Sequence, residues 1–476
     1  MRPGIELANK RVLVVGLART GLATALFCAA HGARVTATER RSATQLGEAL
    51  GPLRAAGCAL ELGGHSAATF LEQDLIVPSP GVPATHPGLA AARAAHIPIW
   101  SEIELAWRFL RGRLIAITGS NGKTTVTSLV GHILSAVGTP PIVAGNIGTP
   151  LIARVGESTA AGITLAEVSS FQLEAIDKFR PDIAVLLNLT PDHLDRHASF
   201  AAYSRAKARI FENQTEDDAA LLNADDAAAA ASQYAPERPR LYWFSRLKRV
   251  SAGACLQGDD IIFRRDGEST LLLERADIAL RGQHNLENVL AAAGAAFLAG
   301  AEPAAIAAGV RSFPGVEHRL EFVAEIAGVS FFNDSKATNV DATLKAIEAF
   351  PGRLFVILGG QDKGSDYAPL AEPLRRRARE VLLIGAAAEK ISAQLSPAPA
   401  EPPAFPIEQA GTLDRAVALA FAHARPGDTV LLAPACASFD QFQNFEHRGR
   451  LFKQYVHALG AAHAQPAAAN QGSNKG

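Results

Sequence analysis

Leu114-Ile-Ala-Ile-Thr118-Gly119-Ser120-Asn121-Gly122-Lys123-Thr124-Thr125 is an apolar, β-rich run that breaks into glycines and ends in Gly-Lys-Thr-Thr. It predicts a strand, a phosphate loop and the first turn of a helix. Backbone N–H groups freed by glycines and by a helix N-terminus point at phosphate oxygens, Lys123 adds a point charge, and the Thr124 hydroxyl can hold Mg²⁺. The spacing is short: two residues separate Gly119 from Gly122, where the general phosphate-loop pattern has four. A shortened variant is therefore expected. The plain alternative, a strand-to-helix turn with one surface lysine, gives no reason for a Lys-Thr pair directly after the glycine.

Upstream, Lys10-Arg-Val-Leu-Val-Val-Gly16-Leu-Ala18-Arg-Thr20-Gly21 reads as a buried parallel strand running into a helix that carries Leu22, Ala25, Leu26 and Ala29. Ala18 stands where the dinucleotide fingerprint has its middle glycine, which disfavours a dinucleotide and leaves room for a diphosphate held less closely. Arg34 to Arg40 supplies a second strand, Asp74-Leu-Ile-Val-Pro-Ser-Pro-Gly81-Val-Pro a strand with a rigid turn, and Ile97 to Trp100 a further short strand. A Rossmann-like domain without a ligand explains the same pattern. The polar turn Arg111-Gly112-Arg113 closes this first domain, residues 1–111.

A central domain, residues 112–317, follows. Thr164-Leu-Ala-Glu167 reads as a strand delivering a carboxylate, and Ile183 to Asn188 as one delivering Thr190-Pro-Asp192-His193-Leu-Asp195. Lys207 falls on an expected helix from Phe200 to Phe211. Ligands of open α/β sheets bind beyond the strand carboxyl ends, which puts Glu167 and His193 beside the phosphates of Lys123. A carboxylate and an imidazole can bind Mg²⁺, though imidazole is the less usual ligand for so hard a cation. The competing readings are a strand-end charge, a capping or core histidine, and a solvated helix lysine. Residues 216–280 look less regular, with short strands such as Leu241 to Phe244 and Ile261 to Phe263. Asn285 and Asn288, three apart at a helix start, share a face and can read an adenine edge, or else they cap the helix.

Strands at Val329 to Phe332, Arg353 to Leu358, Val381 to Ile384 and Thr429 to Ala433 alternate with helical stretches in a third domain, residues 318–460, and indicate a parallel sheet. Their ends are Asn333-Asp334-Ser-Lys336-Ala-Thr338-Asn339, Gly359-Gly-Gln-Asp-Lys363-Gly and Cys436-Ala-Ser438-Phe-Asp-Gln-Phe-Gln-Asn-Phe445. Two lysines, a threonine and a serine at one edge suit a dicarboxylic amino acid, or are ordinary loop polars. Pro397 to Pro406 reads as a proline-rich loop, and 461–476 as a disordered tail.

The 46 basic and 47 acidic residues among 476 leave a net charge of −1. That balance gives no field for nucleic acid or an anionic membrane, so a charged substrate must be held by local charges. Cys28, Cys58, Cys255 and Cys436 are too scattered for a zinc site or a disulfide framework. Val12 to Ala18 is cut short by Arg19, and no run reaches the roughly 18 apolar residues of a membrane span. A cytoplasmic monomer is expected.

Together these segments resemble the Mur ligases, the ATP-dependent amide-forming enzymes of peptidoglycan precursor synthesis, from about Lys10 to about Leu459. Thr118 to Thr125, Glu167-Val-Ser-Ser-Phe-Gln-Leu173, Asn333 to Asn339 and Gly359 to Gly364 are similar to the D-glutamate-adding branch. The resemblance implies an α/β protein of three domains: a Rossmann-like N-terminal domain for a uridine nucleotide, a central ATPase domain and a Rossmann-like C-terminal domain for the amino acid. Catalysis is expected in the cleft between them, after domain closure. It implies that ATP phosphorylates UDP-N-acetylmuramoyl-L-alanine and that the amine of D-glutamate attacks the acyl phosphate.

By the same resemblance Thr124 and Glu167 ligate one Mg²⁺ and His193 a second, which a carbamylated Lys207 helps to hold. Asn285 and Asn288 match adenine contacts, Arg319 a nucleotide-phosphate contact and Asp334 a ribose contact. Lys336, Thr338, Lys363, Ser438 and Phe445 match the D-glutamate pocket. Thr20 and Gly81 fit the uridine-diphosphate site, and Asn146 in Gly145-Asn-Ile-Gly148 its sugar side. Thr38-Glu39-Arg40 departs from the family's Asp-Thr or Asp-Ser before Arg. This leaves Arg40 in register, with either Glu39 or backbone groups reading the uracil. Three competing functions are another Mur or folylpolyglutamate-type ligase, a nicotinamide oxidoreductase and an inactive nucleotide-binding regulator.

Overall fold

The computed structural model describes residues 4–464 except 137, 139, 194–195, 232–233, 281 and 397–404. Asp195, Arg281, most of the proline-rich loop and the end of the tail, 465–476, lie outside the described residues. Among the described residues there are three sheets, and these residues pack into two compact units: those up to 279 with 286–313, and those from 280 to 285 with those from 314 onward.

The first sheet consists of β1 (Arg11–Val15), β2 (Arg34–Glu39), β3 (Ala59–Leu62) and β4 (Leu75–Pro78) in the order β3-β2-β1-β4. All pairs are parallel. Val12 to Val15 are fully buried, as a strand covered on both faces requires. Gly16 leaves β1 at φ +87°, and a Cβ on Gly21 would come within 1.8 Å of the Gly16 carbonyl oxygen. Helix Arg19–Ala30 therefore rests directly on the turn. The glycines expected to serve a ligand also serve this close packing. The segment Ile97 to Trp100 forms only an isolated bridge, Ile76 to Ile99.

The second sheet contains β5 (Arg113–Thr118), β6 (Ile142–Gly145), β7 (Ile163–Glu167), β8 (Ile183–Leu186), β9 (Ala219–Asn223), β10 (Arg240–Ser245), β11 (Gly253–Gln257), β12 (Asp260–Arg265) and β13 (Glu268–Glu274). Its order is β13-β12-β11-β10-β9-β8-β5-β7-β6. The loops after β8, β5, β7 and β6 thus emerge side by side. The stretch read as less regular builds a sheet extension. Gly258 at φ +65°, Asp266 at +55° and Gly267 at +84° supply the left-handed residues of two antiparallel hairpins.

Helix Glu102–Phe109 ties these two sheets into one unit. Glu104 Oε2 accepts the N–H groups of Asp177, Lys178 and Phe179 at 2.9, 2.9 and 2.7 Å. Trp107 donates to the Arg180 carbonyl at 2.8 Å, and Glu102 accepts Ile152 N–H at 2.6 Å. Burial pushes the Glu102 carboxyl up to about 7.

The third sheet, β14 (Glu321–Ile326), β15 (Val329–Asn333), β16 (Leu354–Gly359), β17 (Ala378–Ile384), β18 (Ile407–Gly411) and β19 (Thr429–Leu432), runs in the order β14-β15-β19-β16-β17-β18. It is mixed rather than purely parallel. β14 joins β15 antiparallel through Ala327 at φ +49° and Gly328 at +75°, a tight hairpin turn that an Ala-Gly pair does not advertise. Helix Phe445–Ala464 extends past residue 460, so 461–464 are helical. All four cysteines are buried free thiols. Among the described residues no helix is long and apolar enough to cross a membrane.

Candidate active site

β5 ends in the loop Gly119 to Gly122, and helix Lys123–Ser135 begins directly after it. Gly122 has φ +87°, and a Cβ there would lie 2.4 Å from Asn288 Oδ1. The Asn288 side chain therefore packs on the phosphate loop. Helix Gln283–Leu298 contains both Asn285 and Asn288, so neither is its N-cap. The loop is braced from beneath. Asn121 N–H donates to Asn188 Oδ1 at 2.8 Å, and Asn188 Nδ2 donates back to the Asn121 carbonyl at 3.1 Å. The Ser120 hydroxyl lies 2.9 Å from the Tyr203 hydroxyl and donates to the Thr190 carbonyl at 3.0 Å.

Lys123 Nζ donates to the Gly119 and Ser120 carbonyls, each at 2.9 Å. Lys207 Nζ reaches the same Gly119 carbonyl at 2.9 Å from helix Phe200–Ala208. Lys207 is 2 % exposed, which removes the solvated-lysine alternative. Burial and then Lys123 push its amine well below the ordinary lysine range, against the opposing charges of Asp192 and Glu167. Beside it, Thr124 donates to Glu167 Oε2 at 2.8 Å and Asn146 Nδ2 to Glu167 Oε1 at 2.9 Å. Thr125 is buried in the first helical turn.

His193 is half-exposed and adopts φ +52°. Its N–H bonds Asp192 Oδ1 at 2.9 Å, and its ring lies 5.0 Å from Phe171. Among the described residues no three His, Cys, Asp or Glu side chains assemble into a metal cage. A buried carboxylate facing a threonine hydroxyl nevertheless suits Mg²⁺, which takes one or two carboxylates and completes its shell with phosphate and water oxygens.

In the first sheet Arg41, the residue after the expected Arg40, donates to Glu39 Oε2 at 3.0 Å, and Arg40 is exposed. Glu39 also accepts Leu17 N–H at 2.7 Å and Arg41 N–H at 3.1 Å. Burial works to raise this carboxyl, but Arg41 and the two N–H groups outweigh it and push it down to about 2. Thr20 lies in the first turn of helix Arg19–Ala30. Gly81 is exposed, and its carbonyl accepts from Arg196 at 3.2 Å.

In the other unit, the neighbouring strands β15, β19 and β16 send out the loops that carry Asp334, Lys336 and Thr338, then Ser438, then Lys363. Backbone bonds zip these loops together: Ala435 N–H to the Ala337 carbonyl at 2.9 Å, and Gln361 and Ala437 to each other at 2.9 and 3.1 Å. Arg448 braces them from below. Fully buried, it donates to the Ser335 hydroxyl at 3.0 Å, the Ser335 carbonyl at 2.8 Å and the Cys436 carbonyl at 3.3 Å. Lys336 Nζ lies 5.3 Å over the Phe445 ring. Ser438 is buried and Lys363 exposed. Burial pushes the Asp334 carboxyl up to about 6, against the pull of Arg319 and Lys336. His284 is driven down to about 3 by burial and by Arg319 and Lys345.

Family models match three successive parts of the chain. They are the Mur ligase MurD-like N-terminal domain over residues 10–101, the Mur ligase middle domain over 117–296, and the Mur ligase, glutamate ligase domain over 318–436. The chain is 54 % identical over 468 residues to the UDP-N-acetylmuramoylalanine–D-glutamate ligase of Acidobacterium capsulatum, covering 98 % of this chain and 100 % of that one. The chain belongs to the Mur ligase family. The enzyme of the same name from Solibacter usitatus is 52 % identical, covering 96 % of this chain and 99 % of its own.

Among solved structures, a pseudomurein peptide ligase type C from Methanothermus fervidus superposes with a TM-score of 0.58 at 20 % identity, covering 95 % of this chain and 100 % of that one. The UDP-N-acetylmuramate-alanine ligase of Thermotoga maritima does so with a TM-score of 0.58 at 19 % identity and the same coverage. These two show the fold. As a Mur ligase the chain is an ATP-dependent, amide-forming enzyme with small-molecule substrates, consistent with use of Mg²⁺, and the nicotinamide oxidoreductase alternative falls away.

Sequence reasoning on this Mur ligase missed the groups that hold the site from behind: Asn188, Tyr203, Arg41 and Arg448. Asn188 was visible at a strand end, where its type suited a brace. Nothing local marks Tyr203 or Arg448, which sit on helices whose burial only the packed chain reveals.

Proposed function

We propose that this Mur ligase joins D-glutamate to the alanyl carboxylate of UDP-N-acetylmuramoyl-L-alanine at the expense of ATP. The observation that carries the reading is the full-length likeness to enzymes of that name, and the geometry of the central sheet supports its chemistry. Carboxylates do not react with amines unactivated. The γ-phosphoryl group of ATP passes to the substrate carboxylate, giving ADP and an acyl phosphate. The neutral amine of D-glutamate adds to the acyl carbon, the nitrogen gives up a proton to solvent, and collapse of the tetrahedral adduct breaks the C–O bond to phosphate, which leaves with the electron pair as the amide forms. The N–H groups of the Gly119 to Thr125 loop and the Lys123 ammonium bind and orient the phosphates, and their preorganisation favours the charge of the transferring group.

Thr124 and Glu167 would hold one Mg²⁺, and His193 with Lys207 a second. Bound ions would neutralise charge on the phosphates. The buried amine of Lys207 suits carbamylation, in which the neutral nitrogen bonds CO₂ and releases a proton. Asn285, Asn288, Arg319 and Asp334 would serve the nucleotide. Lys336, Thr338, Lys363, Ser438 and Phe445 would serve D-glutamate. Thr20, Gly81, Asn146 and Arg40 or its neighbour Arg41 would serve the uridine-diphosphate sugar.

The test is phosphate release by the purified protein with ATP, Mg²⁺, UDP-N-acetylmuramoyl-L-alanine and a panel of amino acids. Release that depends on D-glutamate is expected. Release that depends instead on L-lysine, diaminopimelate or L-glutamate would overturn the assignment.

A further inference from the structure

The carboxylate of Glu167 is held at both oxygens, and only one of its partners belongs to the phosphate loop. The other is Asn146, in the loop after β6. Gly145 and Glu167 are register partners on the parallel strands β6 and β7. A Cβ on Gly145, which has φ +107°, would lie 2.4 Å from the Glu167 carbonyl oxygen. The missing side chain lets the two backbones meet. Asn146 N–H then donates to the Glu167 carbonyl at 2.8 Å, and its Nδ2 donates to Oε1 at 2.9 Å. The loop is closed by Gly145 N–H on the Thr149 carbonyl at 2.9 Å. Arg19 anchors it further, donating to the Gly148 carbonyl at 2.6 Å.

We propose that Asn146 is a positioning residue for Glu167: its amide pins one carboxylate oxygen so that the other faces the Thr124 hydroxyl, where Mg²⁺ would be held. This rests on the reading of Glu167 as a metal ligand and goes beyond the sugar contact expected of Asn146. The physical reason is the position of Glu167, a 2 % exposed carboxylate at the end of a strand. Without Asn146 its Oε1 loses a donor in a place water barely reaches, and the group swings to find another. Partners of this kind, which orient a ligating carboxylate, typically contribute about 10–100-fold to metal affinity. Asn146 is itself exposed, so its remaining donor and acceptor stay available to a sugar. One side chain would then link the nucleotide-sugar site to the metal site.

The experiment is a double-mutant cycle on Asn146→Ala and Glu167→Gln in the full-length protein. Its readout is Mn²⁺ affinity in the presence of ADP, from the electron paramagnetic resonance of free Mn²⁺. Asn146→Ala is expected to weaken Mn²⁺ about tenfold, and to add almost nothing once Glu167→Gln is present. Unchanged affinity, or a loss that simply adds to that of Glu167→Gln, would overturn the proposal. If Glu167→Gln alone leaves Mn²⁺ affinity unchanged, the metal-ligand reading fails and the proposal with it. That outcome is distinguishable, because the two single variants then separate the failures. Asn146→Ser, which keeps a small polar side chain, goes through the same cycle in case Asn146→Ala lowers the metal-free melting temperature.

Discussion

The phosphate loop of the central sheet and the strand-end loops of the C-terminal sheet solve one problem, the placement of charge beyond strand carboxyl ends, in opposite ways. In the central sheet the candidate functional groups hold one another: Lys123 and Lys207 share the Gly119 carbonyl, and Glu167 is gripped by Thr124 and Asn146. Lys207, Thr124 and Glu167 are buried, Lys123 is half-buried, and Asn146 reaches in from an exposed loop. In the C-terminal sheet Lys363 is exposed, and Arg448, fully buried, stitches the loops through the Ser335 and Cys436 carbonyls. A site for polyphosphate profits from groups made rigid by mutual contact. The proposed amino-acid site is carried on loops whose stiffness comes from a separate scaffold.

The comparison breaks first at Lys207. Lys207→Ala should reduce kcat on the order of 10²–10³-fold, and added bicarbonate should assist a weakened variant that retains the amine. Full activity in Lys207→Ala would end the carbamate idea. The same residue has a stability signature. Its folded pKa lies below the unfolded value of 10.5, so the unfolded chain binds the extra proton and stability rises with pH up to about that value. Chemical denaturation of Lys207→Met at several pH values should show that rise reduced by one proton.

Next comes the scaffold. Arg448→Met leaves the carbonyls of Ser335 and Cys436 without their donor, and a cost of about 3 kcal/mol is expected, read as a lower denaturation midpoint with unchanged slope. ATP binding to the phosphate loop should change far less than the Michaelis constant for D-glutamate. A third, smaller effect belongs to Asp334. Its carboxyl is raised from 3.8 to about 6, so the folded state binds the extra proton, and stability falls as pH rises across that window. Asp334→Asn should abolish that fall and gain on the order of 2 kcal/mol at neutral pH, while weakening nucleotide binding. A slope that persists in Asp334→Asn would place its origin elsewhere. Last, Lys363→Ala should leave the melting temperature unchanged and raise the D-glutamate Michaelis constant about tenfold, as loss of a charge-assisted bond implies. Equal effects on ATP and D-glutamate would count against its assignment.

Legibility along the chain followed burial and period. β5, β1 and β16 were plain because a strand covered on both faces is an unbroken apolar run. β14 and β18 were not, because their half-exposed residues carry no such run, and the hairpin joining β14 to β15 turns on Ala327. The extension from β11 to β13 was read only in part, through the short strand at Ile261 to Phe263, for a similar reason: its strands are short and their turns rest on one or two left-handed residues. At the candidate site, the loop and strand-end residues proposed to meet a ligand could be named from type, spacing and the family resemblance. Tyr203 and Arg448 were not, since a tyrosine or arginine on a helix looks the same whether it meets solvent or a buried serine.

Arg40 marks the finest limit. The sequence offered two adjacent arginines after Glu39, and only the fold chose Arg41 as its partner, because β2 ends at Glu39 and the chain then bends, bringing the Arg41 backbone and guanidinium onto the carboxylate and leaving Arg40 exposed. The linear order of residues by itself determined the shortened phosphate loop and the chemical types at each strand end, since those depend on local spacing, and its motifs carried the resemblance that named the branch. Tertiary structure alone decided which charges are buried together. It made Lys207 a low-pKa amine rather than a surface ammonium and gave Glu167 a second holder in Asn146. Burial and proximity set protonation and orientation, and both are properties of residues brought together from distant parts of the chain.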